Sequence, residues 1–443
     1  MKSGKMVACA SGVCLLVGFA WGFLSHRHFI FPYGVLRVLA IKSGITRPIK
    51  KEVKSHSRAL ELLQALPYVA GTVDANIHAK GVLLFDRGKT DSSGLNFYDS
   101  TSVTGLESSA YLIDMEGTIL HRWSYSYRYF KNVTSHWKLV GNGDAFVLIA
   151  GRRLVKVDKE SGRIWEFKGD VHHNFGIDEE GDIYVLNRRQ TLDATIHPTL
   201  DSVDDVITIL SAQGEKKGEI SLLDAVRSSV YAFLLPRVGH LEFEAETRGE
   251  EPSLDVLHTN HVEVFDGSVA HRSAFFKKGN ILVSMRNINL IAIIDGTTHE
   301  ISWAWGPTNL TLQHHPRLLP NGNILLFNNR TDLSQIIEVN PLSFAVEWAY
   351  QSGDFFSALR GSCQRLQNGN TLITESDKGY VFEVTKEGEI VWKFANPEMS
   401  PDGERKTIWR MTRFTREELP FLFSGRRPAG RADRHRLRPE RGS

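Results

Sequence analysis

The chain has 443 residues, with 53 Lys and Arg against 51 Asp and Glu, a net charge of +2 and 42% hydrophobic residues. This is ordinary globular composition, which excludes a wholly disordered or collagen-like chain, and the balanced charge carries no nucleic-acid footprint. The three cysteines, Cys9, Cys14 and Cys363, exclude an intradomain disulfide framework, and no Cys/His zinc spacing is present.

Val7 to Leu24 is an apolar run of about bilayer-spanning length, preceded by Lys2 and Lys5 and followed by His26, Arg27 and His28. No small-x-small cleavage site follows it. Residues 1–30 are therefore expected to form an uncleaved signal anchor, with a cleaved signal or a buried helix as alternatives. The flanking charges favour a cytoplasmic N-terminus, which would put the rest of a single-pass chain in the periplasm, lumen or exterior. Residues 31–79 read as a helical juxtamembrane stalk, with Val53, Ala59, Leu62, Leu63 and Leu66 at helical spacing before Pro67. Asn132, Asn309 and Asn329 each begin an N-x-T sequon, which matters only on a secretory route.

From about Lys80 the chain turns to short β-branched and aromatic runs split by Gly, Asn and Asp, an all-β pattern. A unit recurs within it. His314 to Phe327 with Asn321-Gly322, then Ile336 to Val339, then Val346 to Trp348, reads as strand, hairpin, strand and a last strand with Trp. The frame returns at Gly361–Trp392, His258–Trp305, His136–Trp165 and His173 to about Leu222, and partly at Ala110–Trp123. About six such units at intervals of roughly 35 to 55 residues predict a six-bladed β-propeller over residues 80–417, in preference to a β-sandwich. The apolar run Thr407–Phe414 suits a closing strand borrowed by the first blade. Residues 193–255 read as an insertion packed over one channel mouth. Residues 418–443 read as a basic disordered tail, with contact to anionic lipid as the alternative.

His314 lies seven residues before Asn321, and His173 seven before Glu180, in matching turns. His258 falls in the same frame. Gly361 occupies the position in the last unit. The first strand of each blade lines the channel, so these three histidines are expected to converge at one mouth. Arg286 ends the next strand of the His258 unit and offers a forked anion donor. Asn260, Gln313, Arg330 and Arg365 are second-rank substrate-binding candidates. No Walker A and no strand–GxGxxG–helix nucleotide cradle is present. Three histidines could instead hold a metal ion.

These residues carry a resemblance. Gln313-His314 with Leu318-Leu-Pro-Asn-Gly-Asn-Ile-Leu-Leu-Phe, Leu257-His258-Thr-Asn260 leading to Ser284-Met-Arg286, and Gly361-Ser-Cys-Gln-Arg-Leu-Gln-Asn-Gly-Asn resemble motifs of the bacterial-type arylsulfotransferase family. The resemblance implies a six-bladed propeller that moves a sulfuryl group from an aryl sulfate to a phenol without an adenylyl sulfate donor. It implies His314 as the nucleophile and His173, His258 and Arg286 as anion-binding partners. Cys363 and His315 depart from the family's usual residues. The expected partners are an aryl sulfate, a phenol and the membrane, with no nucleic acid and no cofactor or metal. The competing reading is a membrane-tethered propeller that binds without catalysing. A quinone-binding propeller, suggested by Asp158 to Trp165, is a remoter one.

Overall fold

In a computed structural model, residues 81–423 are described, apart from 92, 102–106, 127–134, 195, 198–200, 238–241, 244–252 and 401–402. The expected anchor, the stalk and residues 424–443 lie outside them. Among the described residues no helix is long and apolar enough to cross a membrane.

Six antiparallel sheets form the blades of an all-β propeller. Blade 1 holds Leu95–Ser100, Glu107–Ile113 and Ile119–Ser126; blade 2 runs from Ser135–Leu139 to Arg163–Lys168. Blade 3 holds Val171–Ile177, Ile183–Thr191, Asp201–Leu210 and Lys216–Ser221. Blade 4 runs from Thr259–Val264 to Ile301–Trp305, blade 5 from His314–Leu318 to Val346–Tyr350, and blade 6 from Ser362–Arg365 to Ile390–Ala395. Both ends of the described chain close the ring. Met411–Phe414 pairs with Leu95–Ser100 and supplies the innermost strand of blade 1. Val82–Phe85 pairs with Ile390–Ala395 as a fifth, outer strand on blade 6.

The repeated Asn-Gly turns are not mirror-image two-residue hairpins. Gly322, Gly369 and Gly143 have φ of 82°, 88° and 93°, while the asparagines before them do not enter the left-handed region. Gly322 N donates to Leu319 O at 2.8 Å, and Leu319 N to Asn323 O at 2.8 Å. A type I turn followed by a left-handed glycine makes this three-residue loop.

The repeated last-strand Trp has a structural role between blades. Indole Nε1 of Trp123 donates to Gly143 O, Trp165 to Ala212 O, Trp303 to Pro341 O, Trp348 to Lys386 O and Trp392 to Met115 O, at 2.7–3.1 Å. Five of the six blade junctions are bolted in this way, including the junction from blade 6 back to blade 1. A buried indole needs a partner for its single donor, so each bolt also fixes the spacing of neighbouring blades.

The junction between blades 3 and 4 lacks this Trp and is built differently. Asp201–Leu210 and Lys216–Ser221 are blade strands, so the insertion is shorter than the expected 193–255 and begins after Ser221. Ser221 caps the helix Leu222–Arg227, its side chain accepting from Asp224 N. That helix and the following turn Ala232–Arg237 bury Leu222, Leu223, Val226, Leu234 and Leu235 against Ile281, Val283 and Ile288 of blade 4. The C-terminal boundary also shifts. Residues 418–423 are not patternless: Leu419 is fully buried, and Phe421 and Leu422 pack with it against the core of blades 1 and 2.

Closure is pinned by Arg413 on the last strand. Its guanidinium donates to Asn96 Oδ1 at 2.8 Å and pairs with Glu383 of blade 6, beneath the Trp392 ring. Arg413 and Glu383 side chains are only 2% and 0% exposed. Glu383→Ala would leave a buried, uncompensated guanidinium, and removing one partner of a buried pair costs about 3–5 kcal/mol. Chemical denaturation should show that loss, and an unchanged midpoint would disprove the role of the pin.

Candidate functional site

The first strands of neighbouring blades touch one another around the ring. In blades 3, 4 and 5 the pairing of this strand breaks where a histidine stands. The shifts fall opposite Val185 to Asn187, between Thr259 and His261, and between His314 and Arg317. The first strands of blades 2 and 6, and Met411–Phe414 in blade 1, pair without a shift. At the breaks His173, His258 and His315 take φ of 51°, 48° and 51°. A left-handed non-glycine residue costs of order 1–3 kcal/mol, and such bulges re-aim side chains. Blade 6 cannot add a side chain at this level. A Cβ on Gly361 would lie 2.5 Å from the Phe327 ring.

The structure brings His173, His258, His314 and Arg286 together. The rings of His173 and His258 are 4.7 Å apart. Arg286 N donates to His258 O at 3.3 Å, joining the strand-end turn to the bulge. The charges of Arg286 and His258 both act on His314, and those of His258 and His314 on His173. Trp409 lies 6.0 Å from His173, and the Arg360 guanidinium sits 5.0 Å over the Trp409 ring.

Hydrogen bonds set the tautomers. His314 Nδ1 faces two acceptors, Asn329 Oδ1 at 2.7 Å and Leu312 O at 3.0 Å. Nδ1 therefore carries the proton, and Nε2 keeps its lone pair. Burial, with help from Arg286, pushes His314 down to about 3, so the ring is neutral at ordinary pH. His258 Nδ1 bonds to Asp255, and His258 N donates to Asp255 Oδ1 at 3.1 Å. Burial alone would raise the Asp255 carboxyl, but His258 and Arg188 outweigh it and hold it well below the usual range. His173 and His172 share an Nδ1–Nδ1 hydrogen bond of 2.8 Å. Burial lowers the Arg286 guanidinium, while Asp255 and Asp377 hold it up. Arg286 Nη1 reaches Asn287 Oδ1 at 3.2 Å, and its Nε is buried without a partner.

The second-rank candidates fall elsewhere in role or place. Asn260 donates to Gln313 O at 2.8 Å. Gln313 donates to Ser284, Met285 O and Leu290 O, each at 3.2 Å. Both amides thus hold the blade 4–blade 5 contact that carries His314. Arg330 is at the surface beside Asp332. Arg365 ends its strand at the hairpin, bonded to Glu338 at 2.7 Å and to Gly369 O at 2.9 Å. That hairpin end is the opposite mouth from the histidines. Among the described residues, no three of His, Cys, Asp and Glu are arranged to hold a metal ion.

Asp255 and Trp409 carry no sequence signal for the site, and Asn329 stands out in the sequence only as the start of a sequon. A polar Asn328-Asn329 closing the apolar strand Ile324–Asn328 is the one signal for its place at the site. Asn329 is fully buried, with its amide on Ser357 O at 2.8 Å and Arg360 O at 2.9 Å, so its sequon is closed to glycosylation in the folded chain.

A family model described as arylsulfotransferase (ASST) matches residues 151–397. No curated protein sequence matches the chain. Among solved structures, a protein of unknown function from Bacteroides caccae is 13% identical, with 73% of this chain and 99% of that one covered at a TM-score of 0.46. A streptogramin B lyase is 13% identical, with coverages of 72% and 98% and a TM-score of 0.41. Virginiamycin B lyase from Staphylococcus aureus is 12% identical, with coverages of 60% and 71% and a TM-score of 0.35. These are remote, and nothing about the chemistry of this chain rests on them.

The buried histidines make stability pH-dependent. Burial lowers His314 to about 3 and His136 to about 4, and lowers His172, His173, His261 and His315 as well. Unfolded histidine takes up a proton near 6.5, whereas the folded chain refuses it. Stability is therefore fully present above about pH 6.5 and falls as pH drops, each such histidine contributing about 1.4 kcal/mol per pH unit. Thermal melts should shift down between pH 7 and 5, and His314→Gln should flatten the slope. A melting temperature constant across this range would contradict the neutral buried set.

Proposed function

The chain belongs to the arylsulfotransferase family and is a transferase of that kind, and from its site we propose that it moves a sulfuryl group from an aryl sulfate to a phenol through a sulfohistidine at His314. The observation that carries this reading is the tautomer of His314. Asn329 and Leu312 O take the Nδ1 proton, which leaves the Nε2 lone pair beside Arg286 and the Asp255-backed His258. A neutral imidazole with a free lone pair needs no proton removed before it attacks.

In the first step Nε2 attacks sulfur, an N–S bond forms, and the aryl O–S bond breaks with its electron pair on the phenolate. Arg286 stabilises charge on the sulfuryl oxygens and the leaving oxygen. His258, backed at Nδ1 by Asp255, is the proton carrier of this proposal: as the imidazolium it gives its Nε2 proton to the departing phenolate, and the neutral ring left behind takes a proton from the acceptor phenol at the same nitrogen. In the second step the acceptor oxygen attacks sulfur and the N–S electron pair returns to His314. No oxidant or reductant is consumed. His173 sits against His258 and adds a polar wall on the far side.

The chain is further proposed to be tethered by Val7–Leu24 with the propeller on the non-cytosolic side, a reading that rests on the apolar run and its flanking charges. Protease added to intact spheroplasts should digest the propeller; in sealed microsomes it should be protected. The reverse result would place the site in the cytosol.

Wild-type protein given p-nitrophenyl sulfate without acceptor should gain one sulfuryl group, stable to alkali and labile to acid. His314→Ala should gain none and lose transfer. Arg286→Ala should slow transfer by roughly 10²–10³-fold, as for one lost transition-state donor. Kinetics should be ping-pong. A well-folded His314→Ala variant with near wild-type turnover would remove the mechanism.

A further inference from the structure

One step further along the innermost strands, a second polar set gathers that the transfer chemistry does not use. Asn174 of blade 3 donates to His261 Nδ1 of blade 4 at 2.7 Å, and the His261 and His315 rings lie 5.0 Å apart. Cys363 N of blade 6 donates to His315 Nδ1 at 3.3 Å. Both rings accept at Nδ1, so each neutral ring carries its proton on Nε2 and presents a donor. His261 is 1% exposed, and its Nε2 has no partner.

Two cations reach the same place. Lys138 of blade 2 gives one proton to Phe175 O at 2.5 Å, and neither Lys138 nor Arg410 forms an ion pair among the described residues. Arg410, just before the closing strand, has a buried Nε without a partner. Their charges act on each other and on His261 and His315. The nearby Arg317 is paired with Glu263 at 3.2 Å, so that pair cancels. Asp99 is occupied by four donors: Trp409 N at 2.7 Å and Arg410 N, Trp137 N and His136 Nδ1 at 3.1 Å. These neutral donors satisfy the Asp99 oxygens without cancelling its charge, so Asp99 offsets one of the two cations and an excess of one buried positive charge sits beside two uncommitted imidazole donors. Buried charges are ordinarily paired, and unpaired buried donors are costly.

We propose that Lys138, Arg410, His261 and His315 form a second oxyanion site inside the channel, which takes a sulfate-type anion and is separate from the transfer site. Charge-assisted hydrogen bonds from an ammonium, a guanidinium and two imidazoles match the oxygens of such an anion. Burial and the neighbouring Arg410 push the Lys138 ammonium well below its ordinary value, and an anion between them reverses that push. Trp409, next in the chain to Arg410, lies between the two sites: its ring is 6.0 Å from His136, on which the Arg410 and Lys138 charges act, and 6.0 Å from His173 of the transfer site. The anion is therefore either free inorganic sulfate or a second acidic substituent on an aryl substrate held across Trp409. The site rests on channel geometry and not on the transferase reading.

Calorimetric titration of the full chain with sodium sulfate, at ionic strength fixed with chloride, tests it. Wild-type protein should bind two sulfates. Lys138→Met should weaken one of them by about tenfold or more, the factor that corresponds to about 1.4 kcal/mol, while p-nitrophenyl sulfate turnover stays within about twofold. Arg410→Gln should give the same loss, which guards against a folding defect in one variant. Arg286→Gln should leave the channel sulfate in place. Identical titrations for wild type and both channel variants, or loss of all sulfate in Arg286→Gln, would overturn the site. A carboxylated aryl sulfate with a KM advantage that disappears in Lys138→Met identifies the substituent as the anion. Equal KM values with channel sulfate retained identify the free ion. Inactive protein that still shows the Lys138-dependent sulfate would sink the transfer mechanism and leave this site standing.

Discussion

The docking of Met411–Phe414 beside Leu95–Ser100 is the constraint on which the rest of the molecule depends. Until that strand arrives, blade 1 lacks its inner edge and blade 6 has no fixed neighbour. The residues of the candidate site come from the consecutive blades 3, 4 and 5, whose first strands touch one another directly, and the closed ring fixes the spacing of those blades. Closing so long a loop costs entropy, though slowly with length. The opposing terms are visible: the Arg413–Glu383 pair, the Asn96 hydrogen bond and the indole of Trp392 on Met115 O all sit at the seam. The other Trp bolts then set the angle between blades. Where the bolt is missing, the short helix Leu222–Arg227 and its apolar face fill the gap. That same insertion supports the turn carrying Arg286, so the irregular junction and the functional turn are one structure.

The closed ring explains position, and the bulges explain direction. A regular first strand alternates its side chains between the two neighbouring blades. At His173, His258 and His315 the backbone leaves the regular path and enters left-handed space. These are stiff, non-glycine residues in an unfavoured conformation, held there by the packing around them. In the three blades without such histidines the innermost strand pairs without a shift, so at this level of the channel the strain is confined to the blades that build the site. In blade 6 the Phe327 ring occupies the volume a side chain on Gly361 would need.

Burial then decides protonation. Desolvation disfavours the imidazolium, and the nearby Arg286 acts in the same direction on His314. With His314 and His261 neutral, each of these two rings is a donor at one nitrogen and an acceptor at the other, and its neighbour chooses which. Asn329 makes His314 an acceptor at Nε2, Asp255 orients His258, and Asn174 makes His261 a donor at Nε2. Chemically similar side chains are thereby given different roles within one channel.

Much of this was legible in the residues. Hairpin glycines, alternating apolar strands and the recurring Trp are local signals with short periods, so six blades, the closing strand and the register of His173, His258 and His314 could be read without coordinates. Arg286 followed from its place at a strand end. Asn260 and Gln313 were legible as near the site but not as backbone braces. Arg330 and Arg365 turned to the surface and to the opposite mouth, because the direction of a long side chain depends on what packs against it. The blade strands inside residues 193–255, the outer strand Val82–Phe85 and the buried segment around Leu419 were hidden for a similar reason: each is completed by a partner far away in the chain. The sequence by itself determined the repeat and the chemistry available at each strand start. Only the tertiary structure decided which nitrogen of each histidine is free, because that choice is made by Asn329, Asp255 and Asn174, and a hydrogen bond exists only once folding brings its two ends within 3 Å.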